Sequence, residues 1–187
     1  NQAVDENNKV AQILDVPLGN KILAADVDKK GQMAFVTAAS QSFLSEVVVY
    51  SKKGKQLFRT EDADMMAVDV ALSPDGTQVA VAGVSAEGGA ITSTLKVYDL
   101  SAPDKAPWTH TESETMLLGV DYFAGGTVAA VGDNAIWVAK PNGALFEKKT
   151  YDDRQLAGFS IGEDSAALVL QKYGSSKGGE LMMVLPT

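Results

Sequence analysis

The sequence predicts an all-β chain of the β-propeller type, with about four blades of short antiparallel strands. Three observations carry this expectation: a unit of about four strands recurs four times, turn signals punctuate it at regular spacing, and no 3.6-residue apolar stripe marks a helix. Between corresponding turns, Gly31 to Gly76 spans 45 residues, Gly76 to Gly126 spans 50 and Gly126 to Asp164 spans 38. Those intervals bracket the roughly 40 to 50 residues of a four-stranded propeller blade.

The second copy is the clearest. Residues 68–72 lead into Ser73-Pro74-Asp75-Gly76, residues 77–84 return, and residues 94–100 follow a loop. Proline pre-sets φ at the second turn position, Asp75 can accept from local backbone donors, and glycine tolerates positive φ. The first copy places strands at 23–28 and 32–37 about Lys29-Lys30-Gly31, and at 46–50 and 55–58 about Lys53-Gly54. The third uses 118–123, Gly125-Gly126, 127–131, 135–139, Asn142-Gly143 and 144–147. The fourth has 156–161, Gly162-Glu163-Asp164, 165–170 and 180–185, and lacks its last strand. Blades are thus expected at about 20–64, 65–115, 116–153 and 154–187, after an N-terminal segment, 1–19, with one outer strand. Small and β-branched residues such as Ala24-Ala25, Val79-Ala80-Val81 and Val128-Ala129-Ala130-Val131 suit strands crowded near a central axis.

Composition narrows the partners. At 187 residues and 45% hydrophobic the chain can bury a core as one domain. A net charge of −8 repels nucleic acid and anionic lipid headgroups alike. With no cysteine there are no disulfides or thiolate zinc sites. No run reaches the roughly 18 apolar residues of a membrane span, and the first residue is Asn1, so the chain reads as excised from something longer, past an anchor.

Candidate chemistry is sparse. His110 is the only histidine; a Ser-His-Asp site needs just one, yet no Gly-x-Ser-x-Gly elbow precedes a helix, and the expectation is an exposed outer-strand or loop histidine. Glu61-Asp62-Ala63-Asp64 and the Asp26 and Asp28 pair lack the spacing of a hard-cation loop and read as solvated acidic connections. Gly88-Gly89, Gly125-Gly126 and Gly178-Gly179 have no helix start or Gly-Lys-Ser/Thr ending, so they are turn glycines rather than phosphate cradles. Trp108, Trp137, Met65, Met66, Met182 and Met183 are expected to pack between blades. No catalytic, metal or cofactor residue is assigned.

The connections between second and third strands are expected to be long in three copies, at 39–45, 85–93 and 173–179, all at one end of the propeller. Long loops on a rigid scaffold are where binding concentrates. The candidate binding residues are Ser42, Phe43, Leu44, Glu87, Ile91, Tyr173, Ser175 and Lys177.

The stretch Leu72-Ser73-Pro74-Asp75-Gly76-Thr77-Gln78-Val79-Ala80-Val81, with Leu95-Lys96-Val97-Tyr98-Asp99-Leu100 after it, resembles the core of WD-repeat-like blades. There an SPDG hairpin joins the inner two strands and VYD or VWD ends the third; the Gly-His and Trp-Asp pairs of true WD repeats are absent here. The order VVVYSKKGKQLF, VALSPDGTQVAVAG…TLKVYDL, GVDYFAGGTVAAVGDNAIWVAKPNGALF is also similar to an uncharacterised family of Gram-positive envelope proteins, across nearly all of residues 20–187. That resemblance implies a membrane-anchored parent protein and a propeller outside the membrane, and no reaction.

The resulting expectation is a non-enzymatic extracytoplasmic recognition or scaffolding propeller for a protein or glycan. Two alternatives stand beside it: a carboxylate- or metal-dependent hydrolase or lyase, which needs facing buried carboxylates near the axis, and a structural fragment of a larger propeller. Closure is the last expectation. Residues 9–16 could complete the fourth blade by pairing with 180–185 in a closed ring; the favoured case is an open propeller whose exposed blade faces pair with another copy.

Overall fold

Each blade begins with a hairpin whose turn chemistry is local. In Ser73-Pro74-Asp75-Gly76 the Gly76 N–H donates to the Ser73 carbonyl at 2.8 Å, and Gly76 adopts φ +69°. Asp75 Oδ1 accepts from the Ser73 hydroxyl and from both the amide and hydroxyl of Thr77. These bonds hold the Asp75 carboxyl below its usual range. The hairpin so closed joins β7 (Met66–Leu72) to β8 (Gln78–Glu87). The computed structural model describes residues 2–4, 10–12, 15, 17–38, 40–87, 89–140, 142, 145–175 and 178–186, and every regular element among them is a strand.

Among the described residues, four antiparallel sheets of three or four strands follow one another along the chain, each pairing with itself. Blade 1 comprises β3 (Ile22–Val27), β4 (Met33–Ala38), β5 (Ser45–Tyr50) and β6 (Gln56–Asp62). Blade 2 adds β9 (Ala90–Asp99) and β10 (Trp108–Ser113) to β7 and β8. Blade 3 is β11 (Leu117–Tyr122), β12 (Val128–Gly132), β13 (Ala135–Lys140) and β14 (Leu145–Thr150). Blade 4 is three-stranded: β15 (Arg154–Ile161), β16 (Ala166–Lys172) and β17 (Glu180–Val184).

The core lies between blades, as stacked sheets require. Val36, Val47 and Phe58 of blade 1 pack on Val70, Val79 and Tyr98 of blade 2. Ala82, Leu95 and Val97 pack on Val120, Val128 and Trp137 of blade 3. Val131, Ile136 and Tyr151 pack on Leu168, Leu170 and Met182 of blade 4. Each innermost strand carries an irregularity at the same place, between Ile22 and Ala24, Ala67 and Asp69, Leu117 and Gly119, and Leu156 and Gly158. Such bulges bend a strand and raise its twist, which suits strands that converge on an axis.

Several expectations change. The supposed loop at 85–93 is largely strand: Ser85 pairs with Thr92, Ala86 with Ile91 and Glu87 with Ala90. β6 runs on to Asp62, which is buried, accepts from the Asp64 and Met65 amides, and pairs with Lys96. Asp62 is therefore not solvated, whereas Glu61, Ala63 and Asp64 are exposed. Met65 and Trp137 are buried between blades, but Met66 and Met183 are exposed. Within 9–16, Val10–Gln12 (β2) pairs with Gln2–Val4 (β1) instead of with β17; Lys9, Ile13, Leu14 and Val16 lie outside the described residues.

Candidate functional site

The two ends of the blade stack differ in chemistry. At the hairpin end, all four blades contribute to a cavity of about 240 Å³, lined among others by Asp26, Leu72, Asp121, Tyr122, Ile161 and Glu163. Lys29 of blade 1 and Glu163 of blade 4 form an ion pair across it. Asp26, Asp69 and Asp121 stand on β3, β7 and β11, close enough to influence one another electrostatically. Burial pushes the Asp69 and Asp121 carboxyls up. The charge on Asp26 raises both further, and that of Asp69 acts on Asp121 as well.

Two of these carboxylates also tie blades together. The Leu72 N–H of blade 2 donates to Asp26 Oδ2 of blade 1 at 2.7 Å, and the Val120 N–H of blade 3 donates to Asp69 Oδ2 of blade 2 at 2.9 Å. Asp28 plays a different part. Its Oδ1 accepts from the Lys30 and Gln32 amides and caps the hairpin turn, so Asp26 and Asp28 are neither a pair nor a solvated connection. Among the described residues no group of three or more His, Cys, Asp or Glu side chains is placed to hold a metal ion.

His110 lies on the outermost strand of blade 2 and is half-buried. Its ring stacks on Phe146 at 3.7 Å and meets Trp137 edge-on at 5.2 Å, while Nε2 lies 3.0 Å from Glu112 Oε1. Burial opposes ionisation of Glu112, but hydrogen bonds from Lys148 and His110 outweigh it and hold the carboxyl below the usual range. These contacts stitch blade 2 to blade 3.

The opposite end carries the blade links and the long connections. Ser42, Phe43 and Leu44 lie in the blade 1 connection, where the Leu44 N–H donates to the Asp62 carbonyl at 2.8 Å; Leu44 is exposed and Phe43 half-buried. Tyr173 and Ser175 lie in the blade 4 connection. The Tyr173 N–H donates to the Asp153 carbonyl, and Tyr173 is 70% exposed. Glu87 and Ile91 sit on strands near the tip of the β8–β9 hairpin, and Lys177 lies outside the described residues. The structure therefore puts these segments at one end of their respective blades but does not bring them into a single pocket.

Of these segments only the β8–β9 tip reaches a groove of about 670 Å³ at this end. Gly89, Ala90 and Ile91 form one wall, Ser113 to Met116 the other, and Asp133 closes it. Ile91 and Met116 line it with exposed apolar surface, and Glu114 holds a left-handed φ of 71°. Of these only Ile91 was expected. Met116-Leu117-Leu118 was the available signal, because a strand with one buried face hides only alternate residues; Leu117 is buried and its neighbours are not.

Four successive antiparallel sheets around a shared axial cavity define a β-propeller-like repeat domain. The chain belongs to a family of unknown function, DUF5711, which it matches over residues 4–186. Comparison with curated proteins returns no match. Among solved structures it is similar to dihydro-heme d1 dehydrogenase NirN in complex with DHE, with TM-score 0.57 and 15% identity over 97% of this chain and 40% of that one. It is similar also to KlAtg21 in complex with the coiled-coil of AgAtg16, with TM-score 0.56 and 14% identity over 97% and 63%. The Neurospora crassa Pan2 WD40 domain matches with TM-score 0.51 and 8% identity over 88% and 62%. The chain thus spans less than two thirds of each of these solved chains, and the likeness is one of fold.

Proposed function

We propose that this propeller is a non-enzymatic recognition or scaffolding domain that works outside the membrane and binds a protein segment at the long-connection end. The groove between the β8–β9 tip and the β10–β11 link carries the reading. Ile91 and Met116 supply aliphatic walls and Glu114 and Asp133 supply carboxylates at its edge. That combination fits a peptide side chain with an apolar stem and a cationic head better than it fits a sugar, which favours an aromatic platform. The extracytoplasmic placement rests on the envelope-family resemblance alone.

Selection from a displayed random-peptide library tests this directly. Enriched peptides should carry Lys or Arg beside aliphatic residues, and Ile91→Ser with Met116→Ser should weaken them at least about tenfold, the loss expected when two partly buried apolar contacts go. Peptides that bind the double variant as well as the parent would overturn the assignment.

A second reading has one observation in its favour, the Asp69 and Asp121 carboxyls pushed up near the axis, as carboxylate chemistry would need. Against it, Asp69 already spends one oxygen on the Val120 amide.

A further inference from the structure

Strand pairing puts four residues on one face of blade 2. Trp108 of β10 lies opposite Val97 of β9, and Asp99, two residues on from Val97, lies opposite Gln78 of β8. Residues opposite one another share a face, as do residues two apart. Val97 is buried against blade 3 and Trp108 packs beside it, so this is the face turned toward blade 3. At its rim, on the hairpin end, lies a cavity of about 420 Å³. Gln78, Val97, Asp99 and Trp108 line it from the blade 2 sheet and Lys105 from the β9–β10 connection, while Asn142, between β13 and β14, lines it from blade 3. Blades 2 and 3 each pack on a further blade as well, so both walls of this cavity belong to sheets that are flanked on either side.

The connection that borders the cavity is long. Residues 100–107 join β9 to β10, against 51–55 and 141–144 at the same place in blades 1 and 3. It is also folded on itself: the Ala102 N–H donates to the Asp99 carbonyl at 3.2 Å and the Lys105 N–H to the Ala102 carbonyl at 3.0 Å. Asp99 Oδ1 accepts from the Ser101 hydroxyl at 2.6 Å and from the Ser101 amide at 2.9 Å. Those bonds, with the charge of Lys105 added to them, keep the Asp99 carboxyl below its usual range. The indole is fixed too. Trp108 lies nearly parallel to the His110 ring, 15° apart with centroids at 6.3 Å, and His110 stacks in turn on Phe146 of blade 3.

The lining selects by charge. An anion would meet Asp99 and a chain of net charge −8, and a cation, which an indole face and a carboxylate would otherwise attract, would meet the Lys105 ammonium. A neutral ligand remains, with an apolar face for Trp108 and an edge of groups that both donate and accept, to suit the Gln78 and Asn142 amides, the Asp99 carboxylate and Lys105. A pyranose ring has these features, with C–H bonds on its faces and hydroxyls around its edge. We propose that this cavity binds a neutral saccharide, one sugar ring of which stacks on Trp108. The site lies at the opposite end from the groove beside Ile91 and is independent of the peptide reading.

The test is an NMR titration of the isotope-labelled 187-residue chain with cellotriose, maltotriose and triacetylchitotriose. Each is taken to about 10 mM, enough to saturate a site with a Kd of about 1 mM, and trigalacturonate and adenosine serve as charged and planar controls. The chain has two tryptophans, and Trp137 is fully buried. At least one neutral trisaccharide should shift the Trp108 indole N–H signal saturably and leave that of Trp137 in place; Trp108→Phe, which lacks one of the two signals, assigns them. Trp108→Ala should weaken that trisaccharide at least about tenfold, through loss of the stacking surface. Because Trp108 also packs against the core, Gln78→Ala with Lys105→Ala forms a second arm away from it, with an expected loss of at least about fivefold from two hydrogen bonds. No shift with any of the three, a shift with trigalacturonate or adenosine alone, or a trisaccharide that binds the Gln78, Lys105 double variant as tightly as the parent would each overturn the proposal.

Discussion

Asp121 is the residue where local and tertiary demands conflict most. Burial raises its carboxyl, and the charges on Asp26 and Asp69 raise it further, while only the Tyr122 N–H, at 2.7 Å, favours the ionised form. A carboxyl raised in the fold retains its proton at a pH where the unfolded chain has lost it. Its contribution to stability is therefore fully present below the unfolded value and declines as pH rises through the folded one. Asp121→Asn keeps an acceptor for Tyr122 and removes the charge. It should raise the melting temperature at pH 7 by about 1–3 °C, the shift of roughly half a kcal/mol to 1 kcal/mol in a chain of this size, and by clearly less at pH 3, where the raised Asp121 carboxyl already holds its proton. A gain of equal size at both pH values, by differential scanning calorimetry, would show that the charge is not responsible. Sequence alone marked Asp26 and left Asp69 and Asp121 unremarked, because a lone aspartate in an apolar strand declares no partner until blades are placed side by side.

Among the elements, the innermost strands do more than bury side chains. Asp26 and Asp69 each reach across to a backbone amide of the next blade, at Leu72 and Val120, so adjoining sheets that share no ladder are still joined by a hydrogen bond to a carboxylate. Asp26→Ala should cost about 1–3 kcal/mol in urea unfolding, because it leaves the Leu72 N–H without that acceptor, and Asp26→Asn should cost clearly less. Equal losses would mean that the amide finds another partner. The hairpins themselves were legible, since Ser-Pro-Asp-Gly specifies its own turn. The stretch 85–93 was not. Ser85, Ala86 and the Gly88-Gly89 pair read as a loop, but the ladder between β8 and β9 continues through Glu87 and Ala90. Backbone pairing there outweighs a composition poor in strand formers, as it does when a hairpin is anchored by a long, well-packed stem.

For the molecule as a whole, the buried clusters form between successive blades, so stability is distributed along the stack as in other repeat proteins. Blades 2 and 3 are packed on both faces, and blade 4 on one. In the 187-residue chain, amide hydrogens of β16 and β17 should exchange at least about tenfold faster than those of β12 and β13, the consequence of a local opening some 1.4 kcal/mol easier. Uniform protection across all four blades would indicate a single cooperative unit without a weak end.

Period, turn chemistry and charge were all written in the chain: four repeats, the Ser-Pro-Asp-Gly hairpin, and a net charge of −8. These are local properties, set by residues within one blade's length of each other. Which faces meet, and which stay bare, was decided between blades. Val131 and Val169 hold the same place in the same kind of strand, yet one is buried and the other exposed, because among the described residues a neighbouring sheet covers only the first. The groove beside Ile91 and the linked carboxylates of the axis arise the same way: Ile91 and Met116 stand 25 residues apart in sequence, and Asp69 and Asp121 stand 52 apart. Their contact depends on the angle at which successive sheets pack, which the local pattern of residues does not state.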